Sequence, residues 1–380
     1  MEFICDKKDL QAGVAAVERI VSTRSTLPII GYILFEAGKN GIKISANNLE
    51  IGIELSMKSK VVKEGAVLIP AKTLSGLVSK LPDGPVAFKL TEKGMLKISF
   101  DKSNFNVYTL PPDEFPVLPK IKEGKALTVD KEVFASMIRK TVFAVSSSED
   151  KHVLNGVLIE VGKSPIGGDN SNLRLVATDG YRLAKRSEKV KLADDTKNGA
   201  IVPARAMQEL LRLIDQDKED GEIKILVSAD QAAFRMGDTY LVSRLIQGQF
   251  PDYRQVLPKK TATKITVLSK SMLESAERAA VIAASSANIV RFEVKGGMLH
   301  LFASAPDVGT VDEVLEAEIK GESKAQIAFN IRLIVDVMKA IEKDKVVLEL
   351  SESLGPGVVK GEGDEGYIYI VMPIRTQEAG

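Results

Sequence analysis

The sequence has few of the side chains on which most enzyme chemistry and metal binding depend. Among its 380 residues there is one cysteine, Cys5, and there are two histidines, His152 and His300. A single thiol excludes an internal disulfide and a cysteine-built zinc site, and two imidazoles leave little for a histidine metal cluster or general-base catalysis. We therefore expect no metal and no cofactor.

Long apolar runs and an excess of one charge are also missing. No stretch approaches the roughly 18 apolar residues of a membrane span, and the N-terminal MEFICDKKDL places charge where a signal peptide has its apolar core. The 52 basic and 51 acidic side chains leave a formal net charge of +1, so any binding of a polyanion depends on where the cations lie. We expect a soluble, cytoplasmic protein.

The chain does contain enough apolar side chain for well-packed cores, and its length favours two or three domains. Hydrophobic residues make up 44% and charged residues 27% of it. An internal repeat gives the number as three. Helix starts that are chemically alike occur at Asp6, Asp130 and Ser269, each leading into an Ala-rich segment. Asp and Ser suit a helix N-cap, so we predict that each caps the helix that follows.

A second motif recurs half a repeat later, at Pro70, Pro203 and Asn330. From each of these residues, apolar side chains follow at positions +4, +7, +8 and +11, which is one face of an α-helix. Pro gives the first two helices a rigid start, and Asn330 is expected to cap the third. The apolar positions are Leu74, Leu77, Val78 and Leu81, then Met207, Leu210, Leu211 and Ile214, then Ile334, Val337, Met338 and Ile341.

Between the helices lie short β-rich runs joined by turn residues, such as Tyr32–Glu36 and Ile42–Ser45 around a Gly-Lys-Asn-Gly turn. Each repeat therefore reads β-α-β-β-β twice, which predicts an α+β fold of three similar domains with six main helices. Pro- and Lys-rich connections at 116–124 and 257–264 place the domains at 1–124, 125–257 and 258–380.

Two motifs that could indicate other functions fail in context. Gly361–Gly366 matches G-x-G-x-x-G, but a strand-like run follows it in place of a helix, and its acidic residues would repel phosphate. His152 lies close to Glu149, and with Asp179 these side chains define an alternative hypothesis, an enzyme of unknown chemistry. We favour an exposed loop for His152 and a turn for Asp179, since Asp-Gly is a strong turn signal.

Basic side chains recur at equivalent positions in the repeats. Lys72, Arg205 and Arg332 each lie two residues after the start of the second motif, and the first-type helices carry Arg139, Lys140 and Arg278 off their apolar faces. A single exposed cation is ordinary solvation. Cations repeated at equivalent positions instead indicate a surface for phosphate groups, with binding that is independent of base sequence and sensitive to salt.

Several segments together resemble the β-subunit family of bacterial DNA polymerase III, the sliding clamps. The resemblance covers essentially the whole chain. It implies the DNA clamp fold, a head-to-tail homodimer that closes into a ring with helices inside and sheets outside, and a processivity factor without catalytic activity. The segments that carry it are Leu27–Ile30, Leu154–Gly156, Ala177–Ala184, Phe250–Arg254 and Val371–Arg375.

The resemblance also implies roles for particular residues. Arg24, Lys72, Lys151, His152 and Arg205 match DNA-facing positions of the family, and Phe105, Val281 and Ile282 match its dimer interface. The family's pocket binds short linear motifs of the replicative polymerase, the clamp loader and repair proteins. Here it would comprise Leu154, Thr178, Gly180, Tyr181, Arg182, Leu183, Pro251, Val256, Pro356, Ile370, Met372, Pro373, Ile374 and Arg375.

The chain departs from the family pattern at Gln255, where some members carry a base, and in its tail Thr376–Gly380, which runs past the usual ending. A third hypothesis is a repeat scaffold that forms no ring. Such a scaffold would show the repeat but would not require a cation at each equivalent helix position. We therefore predict a sliding clamp that encircles duplex DNA.

Overall fold

The structure, a computed structural model, describes residues 1–21, 27–121, 126–163, 171–190, 199–258, 260–322, 324–351 and 355–375. Arg24 and the tail Thr376–Gly380, both singled out in the sequence, lie outside the described residues. The described part consists of antiparallel sheets with helices packed on them, so the predicted α+β class is confirmed.

The first third of the chain contains the predicted strand-helix-strand pattern twice. Its elements are β1 (Glu2–Asp6), α1 (Lys7–Glu18), β2 (Tyr32–Gly38), β3 (Gly41–Asn47), β4 (Ile51–Met57), β5 (Lys60–Lys63), β6 (Gly65–Pro70), α2 (Ala71–Val78), β7 (Pro85–Leu90), β8 (Met95–Phe100) and β9 (Ser103–Tyr108). The short strand β5 is an addition that the sequence pattern did not predict.

The middle third repeats the pattern without that extra strand. Its elements are β10 (Leu127–Asp130), α3 (Lys131–Arg139), β11 (Gly156–Lys163), β12 (Ser171–Thr178), β13 (Arg182–Val190), β14 (Ala200–Pro203), α4 (Ala204–Gln216), β15 (Glu222–Val227), β16 (Gln231–Met236) and β17 (Thr239–Arg244). Two 3-10 segments, Val142–Ala144 and Glu149–Leu154, lie between α3 and β11.

The last third follows a further 3-10 segment, Tyr253–Val256, and again has one short extra strand, β22. Its elements are β18 (Thr263–Leu268), α5 (Ser269–Ala283), β19 (Ile289–Lys295), β20 (Met298–Ala305), β21 (Gly309–Glu316), β22 (Glu318–Gly321), β23 (Gln326–Asn330), α6 (Ile331–Ala340), β24 (Lys345–Leu350), β25 (Gly357–Gly361) and β26 (Tyr367–Val371).

The described residues form two compact units. The first comprises residues 1–131 and 212–245, and the second comprises residues 132–211 and 246–380. The middle third is shared between them because its strands join the sheets of both neighbours: β17 pairs with β4 in the first unit, and β13 pairs with β26 in the second. The predicted boundaries at residues 124 and 257 stay a prediction.

Each unit has a long sheet and a shorter one. In the first unit the strand orders are β10-β15-β16-β17-β4-β3-β2-β6 and β5-β1-β7-β8-β9. In the second they are β14-β11-β12-β13-β26-β25-β24-β18-β22 and β21-β20-β19-β23. Strands β9 and β21 are therefore edge strands. Along one side of each, the backbone N–H and C=O groups have no partner strand within the sheet.

Of the four predicted helix caps, those at Asp6 and Asn330 are confirmed by a side-chain hydrogen bond, Asp130 has the predicted position, and Ser269 is wrong. The Asp6 carboxylate accepts a hydrogen bond from Lys8 N at 2.8 Å, and the Asn330 side chain accepts one from Arg332 N at 3.0 Å. Asp130 directly precedes α3, as predicted. Ser269, however, is the first residue of α5 rather than its cap, and its hydroxyl is buried without a hydrogen-bond partner.

Nine of the twelve apolar positions predicted from the repeat are buried, and Leu77, Leu211 and Ile341 are half-buried. Leu74 and Val78 in α2, Met207 in α4, and Ile334 and Val337 in α6 are all in the core. The Gly361–Gly366 segment is a turn between β25 and β26, so no helix follows it, as expected. Asp364 in this turn forms ion pairs with Lys140 and Arg186.

Candidate functional site

An apolar cleft in the second unit is built from four chain segments. These are the end of the Glu149–Leu154 segment, the turn between β12 and β13, the 3-10 segment Tyr253–Val256 and the end of β26. Strand pairing fixes their register: Leu183 in β13 lies opposite Ile370 in β26, and just beyond the ladder Met372 N donates to Tyr181 O at 2.9 Å. Residues far apart in sequence are thereby held side by side.

The cleft has a volume of about 170 Å³. It brings together ten of the fourteen residues that the resemblance assigned to a partner pocket. Two further lining residues, Asp252 and Tyr253, belong to the Phe250–Arg254 segment that carries the resemblance, so the signal for them was present in the sequence. The lining consists of Leu154, Thr178, Gly180, Tyr181, Arg182, Leu183, Pro251, Asp252, Tyr253, Val256, Ile370 and Met372.

Four predicted pocket residues do not line the cleft. Pro356, Pro373 and Ile374 are half-buried, and Arg375 is exposed. The backbone of two of them serves the structure: Ile374 N donates to Ala328 O at 2.8 Å, and Pro356 O accepts from Ser351 Oγ at 3.0 Å. Their assignment to the pocket stays a prediction.

The turn between β12 and β13 forms one wall of the cleft, and its own side chains stabilise it. Asp179 Oδ1 accepts hydrogen bonds from the backbone N–H groups of Tyr181 and Arg182, at 2.8 and 3.0 Å. Thr178 Oγ1 accepts one from Gly180 N at 3.1 Å, and Gly180 has φ +94°, which favours glycine. The turn predicted at Asp179 is confirmed, and the use of its carboxylate here argues against the enzyme hypothesis built on Asp179.

Arg182 ties this turn to two other segments. Its guanidinium donates to Asp179 Oδ2 at 3.1 Å, to Asp336 Oδ2 in α6 at 2.5 Å and to Phe143 O at 2.7 Å. Charge-assisted hydrogen bonds of this kind are stronger than neutral ones. Arg182 therefore lines the cleft while its guanidinium is occupied by these three oxygen atoms.

The floor of the cleft is part of a packed core. Leu183, Ile370 and Tyr253 are buried in one cluster with Leu158, Val176 and Ile201. The rim is different, because Tyr181 is 65% and Met372 40% exposed. A rigid apolar floor with an accessible aromatic and an adaptable methionine at its edge is suited to the hydrophobic side chains of a peptide.

The position of Tyr253 depends on the half-buried carboxylate of Glu160. Its hydroxyl donates to Glu160 Oε2 at 2.9 Å, while Arg174 and Arg254 donate to the same carboxylate at 2.9 and 2.6 Å. Burial raises the pKa of Glu160, but these three hydrogen bonds outweigh burial and bring that pKa below its usual value. Burial and the bond to Glu160 raise the pKa of Tyr253 to about 12, so it remains a neutral donor near pH 7.

The predicted DNA-binding cations fall into two groups. Lys72, Arg205 and Arg332 are each the second residue of a helix, in α2, α4 and α6, and all three are exposed. His152 is exposed as well, and Arg139 is half-buried with its Nη2 atom 4.0 Å from Glu132 Oε2. The repeat in sequence thus corresponds to a repeat in structural position.

Two of the predicted cations, Lys140 and Arg278, form ion pairs with carboxylates of the protein. Lys140 is only 5% exposed, and its Nζ lies 3.3 Å from Glu342 Oε2 and 3.5 Å from Asp364 Oδ2. Its ammonium is held near two carboxylates and away from solvent, so its prediction as a DNA contact does not fit the structure. Arg278 forms a two-pronged ion pair with Glu313, at 2.8 and 2.6 Å, which offsets its charge.

Comparison with known proteins identifies the family. The sequence patterns of the N-terminal, central and C-terminal domains of the DNA polymerase III beta subunit match residues 1–119, 128–252 and 254–375. The chain belongs to the DNA polymerase III beta subunit family. It is similar to a protein named beta sliding clamp from Synechocystis sp., with 33% identity and 99% of each chain covered.

Solved clamps of this family have the same fold. The sliding clamp of Bacillus subtilis is 28% identical, with a TM-score of 0.92 and 99% of each chain covered. The clamp of Bartonella birtlesii, solved with griselimycin bound, is also 28% identical with a TM-score of 0.92, and the match covers 99% of this chain and 100% of that one. The three similar domains predicted from the repeat and the clamp fold implied by the resemblance are thereby confirmed.

The residues matched to the clamp-family dimer interface lie on β9 and α5. Phe105 is half-buried on the edge strand β9, and Val281 and Ile282 lie near the end of α5, where Val281 is 70% exposed. Among the described residues, no group of three or more His, Cys, Asp or Glu side chains suits a metal ion. None of the described helices is long and apolar enough to cross a membrane.

Proposed function

We propose that this member of the beta subunit family is a non-catalytic sliding clamp that encircles duplex DNA and holds replication and repair proteins through the cleft. The observation that carries the proposal is the convergence of ten predicted pocket residues on one apolar cleft. Together with family membership, this supports a protein that binds hydrophobic peptide motifs.

The chemistry of the cleft favours a short peptide with two or more apolar anchors. Its floor is formed by packed aliphatic and aromatic side chains, and Met372 and Val256 at the rim remain accessible. Burying such anchors removes apolar surface from water and stabilises a complex without any charge pairing. The Bartonella birtlesii clamp is described as bound to griselimycin, and we use this compound as one probe of the cleft.

Ring closure would require a second copy of the chain. The edge strands β9 and β21 leave backbone groups without partners inside their own sheets, and pairing between two copies would satisfy them. Exposed Val281 on α5 would be covered in the same contact. In a head-to-tail homodimer, β9 of each copy would pair with β21 of the other.

Contact with DNA would come from Lys72, Arg205 and Arg332. Their charges act in a chain of net charge +1, so we expect weak phosphate contacts that exchange readily along the duplex. Retention would then depend on encirclement rather than on affinity. This distinguishes a clamp from an ordinary DNA-binding protein.

One experiment tests the central part of this proposal. The protein is loaded by a clamp loader onto closed circular DNA, the salt concentration is raised, and the DNA is then linearised. We expect the protein to remain on the circle in salt that screens phosphate contacts, and to leave after linearisation. Equal loss from circular and linear DNA would contradict encirclement. Calorimetric titration with griselimycin tests the cleft separately, and failure to bind would contradict its proposed role.

A further inference from the structure

The Lys151 side chain lies on the turn that forms one wall of the cleft. Its Nζ donates to Asp179 O at 2.7 Å and lies 4.9 Å from the centroid of the Tyr181 ring. A Cβ added to Gly180 would lie 3.3 Å from the same nitrogen. One ammonium group therefore contacts Asp179 and Tyr181, the first and last residues of the Asp179–Tyr181 turn, and lies close to Gly180 between them.

A kink in the backbone at Lys151 accompanies the contact of its side chain with this turn. Lys151 has φ −104° and ψ 46°, which is a kink inside the 3-10 segment Glu149–Leu154. The last residue of that segment, Leu154, lines the cleft. Lys151 thus joins two of the four segments from which the cleft is built, and its hydrogen bond crosses between them.

Tyr181 needs such a restraint because it is mostly exposed. The Asp179 and Thr178 side chains hold the backbone of the turn, but these hydrogen bonds end on N–H groups and leave the Tyr181 ring free to rotate about its side-chain bonds. A cation over the face of an aromatic ring is attracted by the ring's electrons. The Lys151 ammonium therefore favours the one ring orientation in which Tyr181 lines the cleft.

We infer that Lys151 is a positioning residue of the peptide cleft: its ammonium holds the Asp179–Tyr181 turn and the Tyr181 ring ready for a partner peptide. This role differs from the DNA contact that the resemblance implied for Lys151. The inference rests on the proposed function of the cleft and adds to it a residue that does not line the cleft itself.

The test compares Lys151→Met, which keeps the length of the side chain without its charge, with Lys151→Arg, which keeps the charge. The probe is a fluorescein-labelled peptide carrying a polymerase-derived clamp motif, and its affinity is measured by anisotropy. Loss of a cation–π contact and a hydrogen bond should weaken binding by Lys151→Met about five- to thirty-fold. Lys151→Arg should restore most of the affinity.

A double-mutant cycle separates positioning from a general structural effect. Tyr181→Leu removes the ring on which Lys151 acts, so adding Lys151→Met to it should cost much less than Lys151→Met costs in the parent. Fully additive losses would overturn the inference.

The salt dependence of DNA binding gives an independent readout. Lys72→Met is the matched control, an exposed lysine in α2 with the same substitution. Lys72→Met should reduce the magnitude of the slope of log DNA affinity against log salt by the equivalent of about one phosphate contact, and it should leave the affinity for the peptide probe unchanged. Lys151→Met should leave that slope unchanged.

Two results would overturn the inference in distinguishable ways. If the parent binds the probe and Lys151→Met binds it equally well, Lys151 does not position the cleft, while the proposed function stands. If the parent itself does not bind the probe, the proposed peptide cleft fails, and the inference fails with it.

Discussion

The side chain of Leu118 occupies the space directly above Gly52: a Cβ added to Gly52 would lie 2.0 Å from Leu118 Cδ2. Gly52 is the counterpart of Leu183 in the other unit, because Gly52 pairs with Asn47 and Val242 just as Leu183 pairs with Thr178 and Ile370. Leu118 therefore fills, from the connector after β9, the place that a cleft-floor leucine takes in the second unit.

The equivalence extends to the turn. Arg244 N donates to Glu50 O at 2.9 Å, as Met372 N does to Tyr181 O. Asn48 Oδ1 accepts hydrogen bonds from the backbone N–H groups of Glu50 and Ile51. Asp179 Oδ1 accepts the equivalent two bonds, from Tyr181 and Arg182. The repeated unit thus makes the same site twice, and in the first unit the chain's own connector packs into it.

We predict that Leu118→Ala destabilises the first unit by about 2–4 kcal/mol, because Leu118 is only 7% exposed and its removal leaves a cavity over Gly52. Hydrogen exchange of the β16 and β17 amides, measured by mass spectrometry, should become faster. Val117→Ala is the matched control, since Val117 is 89% exposed and its truncation should change exchange little. Equal effects of the two substitutions would contradict this packing.

We predict that Met372→Ala weakens binding of the labelled clamp-motif peptide by about ten-fold or more, because Met372 supplies accessible apolar surface at the rim. Leu183→Ala should weaken it too, but Leu183 is in the core cluster, so part of its effect would come from lost packing. Retention on circular DNA should be unchanged for Met372→Ala. Val62→Ala, at an exposed site on β5, should bind the peptide as the parent does.

We predict that Val281→Asp combined with Ile282→Asp produces a monomer that remains folded. Two carboxylates placed in an apolar contact between copies would be buried without partners, at a cost of several kcal/mol. Analytical ultracentrifugation measures the mass, and circular dichroism checks the fold. Val62→Asp serves as the control and should leave the dimer intact. A dimer that persists in the double variant would show that these residues are not in the interface.

We predict that Glu160 stabilises the second unit above its usual pKa of 4.5. Its pKa is lower in the folded chain than in the unfolded one, so this stabilisation is present above the unfolded value and is lost as the pH falls through the folded value. In urea unfolding, the difference in stability between the parent and Glu160→Gln should therefore be larger near neutral pH than near about pH 3. A difference independent of pH would contradict a charged role for Glu160.

We predict that a triple variant, with methionine in place of Lys72, Arg205 and Arg332, has a weaker dependence of DNA affinity on salt. The slope of log affinity against log salt should fall in magnitude by the equivalent of up to about three phosphate contacts. Arg278→Met is the informative comparison, because Arg278 is already paired with Glu313 and its loss should change the slope little. If Arg278→Met lowers the slope as much as Lys72→Met does, the ion pair does not hold Arg278 away from phosphate.

Local features of this protein could be predicted from its sequence alone. The Asp6 and Asn330 caps, the buried stripes of α2, α4 and α6 and the turn at Asp179 each depend on residues within one or two turns of chain, and short-range periodicity is enough to predict them. Ser269 shows the limit of that approach. The same residue type can cap a helix or begin it, and here the backbone N–H of Ser269 is taken by Asp344 O.

Residues that share a site were predicted through family resemblance, and the fold explains why no local pattern could have replaced it. Leu154, Leu183 and Met372 are separated by up to 218 residues in sequence, yet strand pairing between β13 and β26 places two of them at one cleft. Periodicity along the chain carries no information about which strands pair across such distances.

Tertiary structure also decided what each cation does. Lys72, Lys140, Lys151 and Arg278 are alike in sequence, each a basic residue in or beside a helical segment. In the fold, Lys72 is exposed, Lys140 is buried between two carboxylates, Lys151 lies on the Tyr181 ring and Arg278 is paired with Glu313. The sequence determined the repeat and the number of its copies, because both follow from local pattern. The environment of each charge depends on side chains that only folding brings near it.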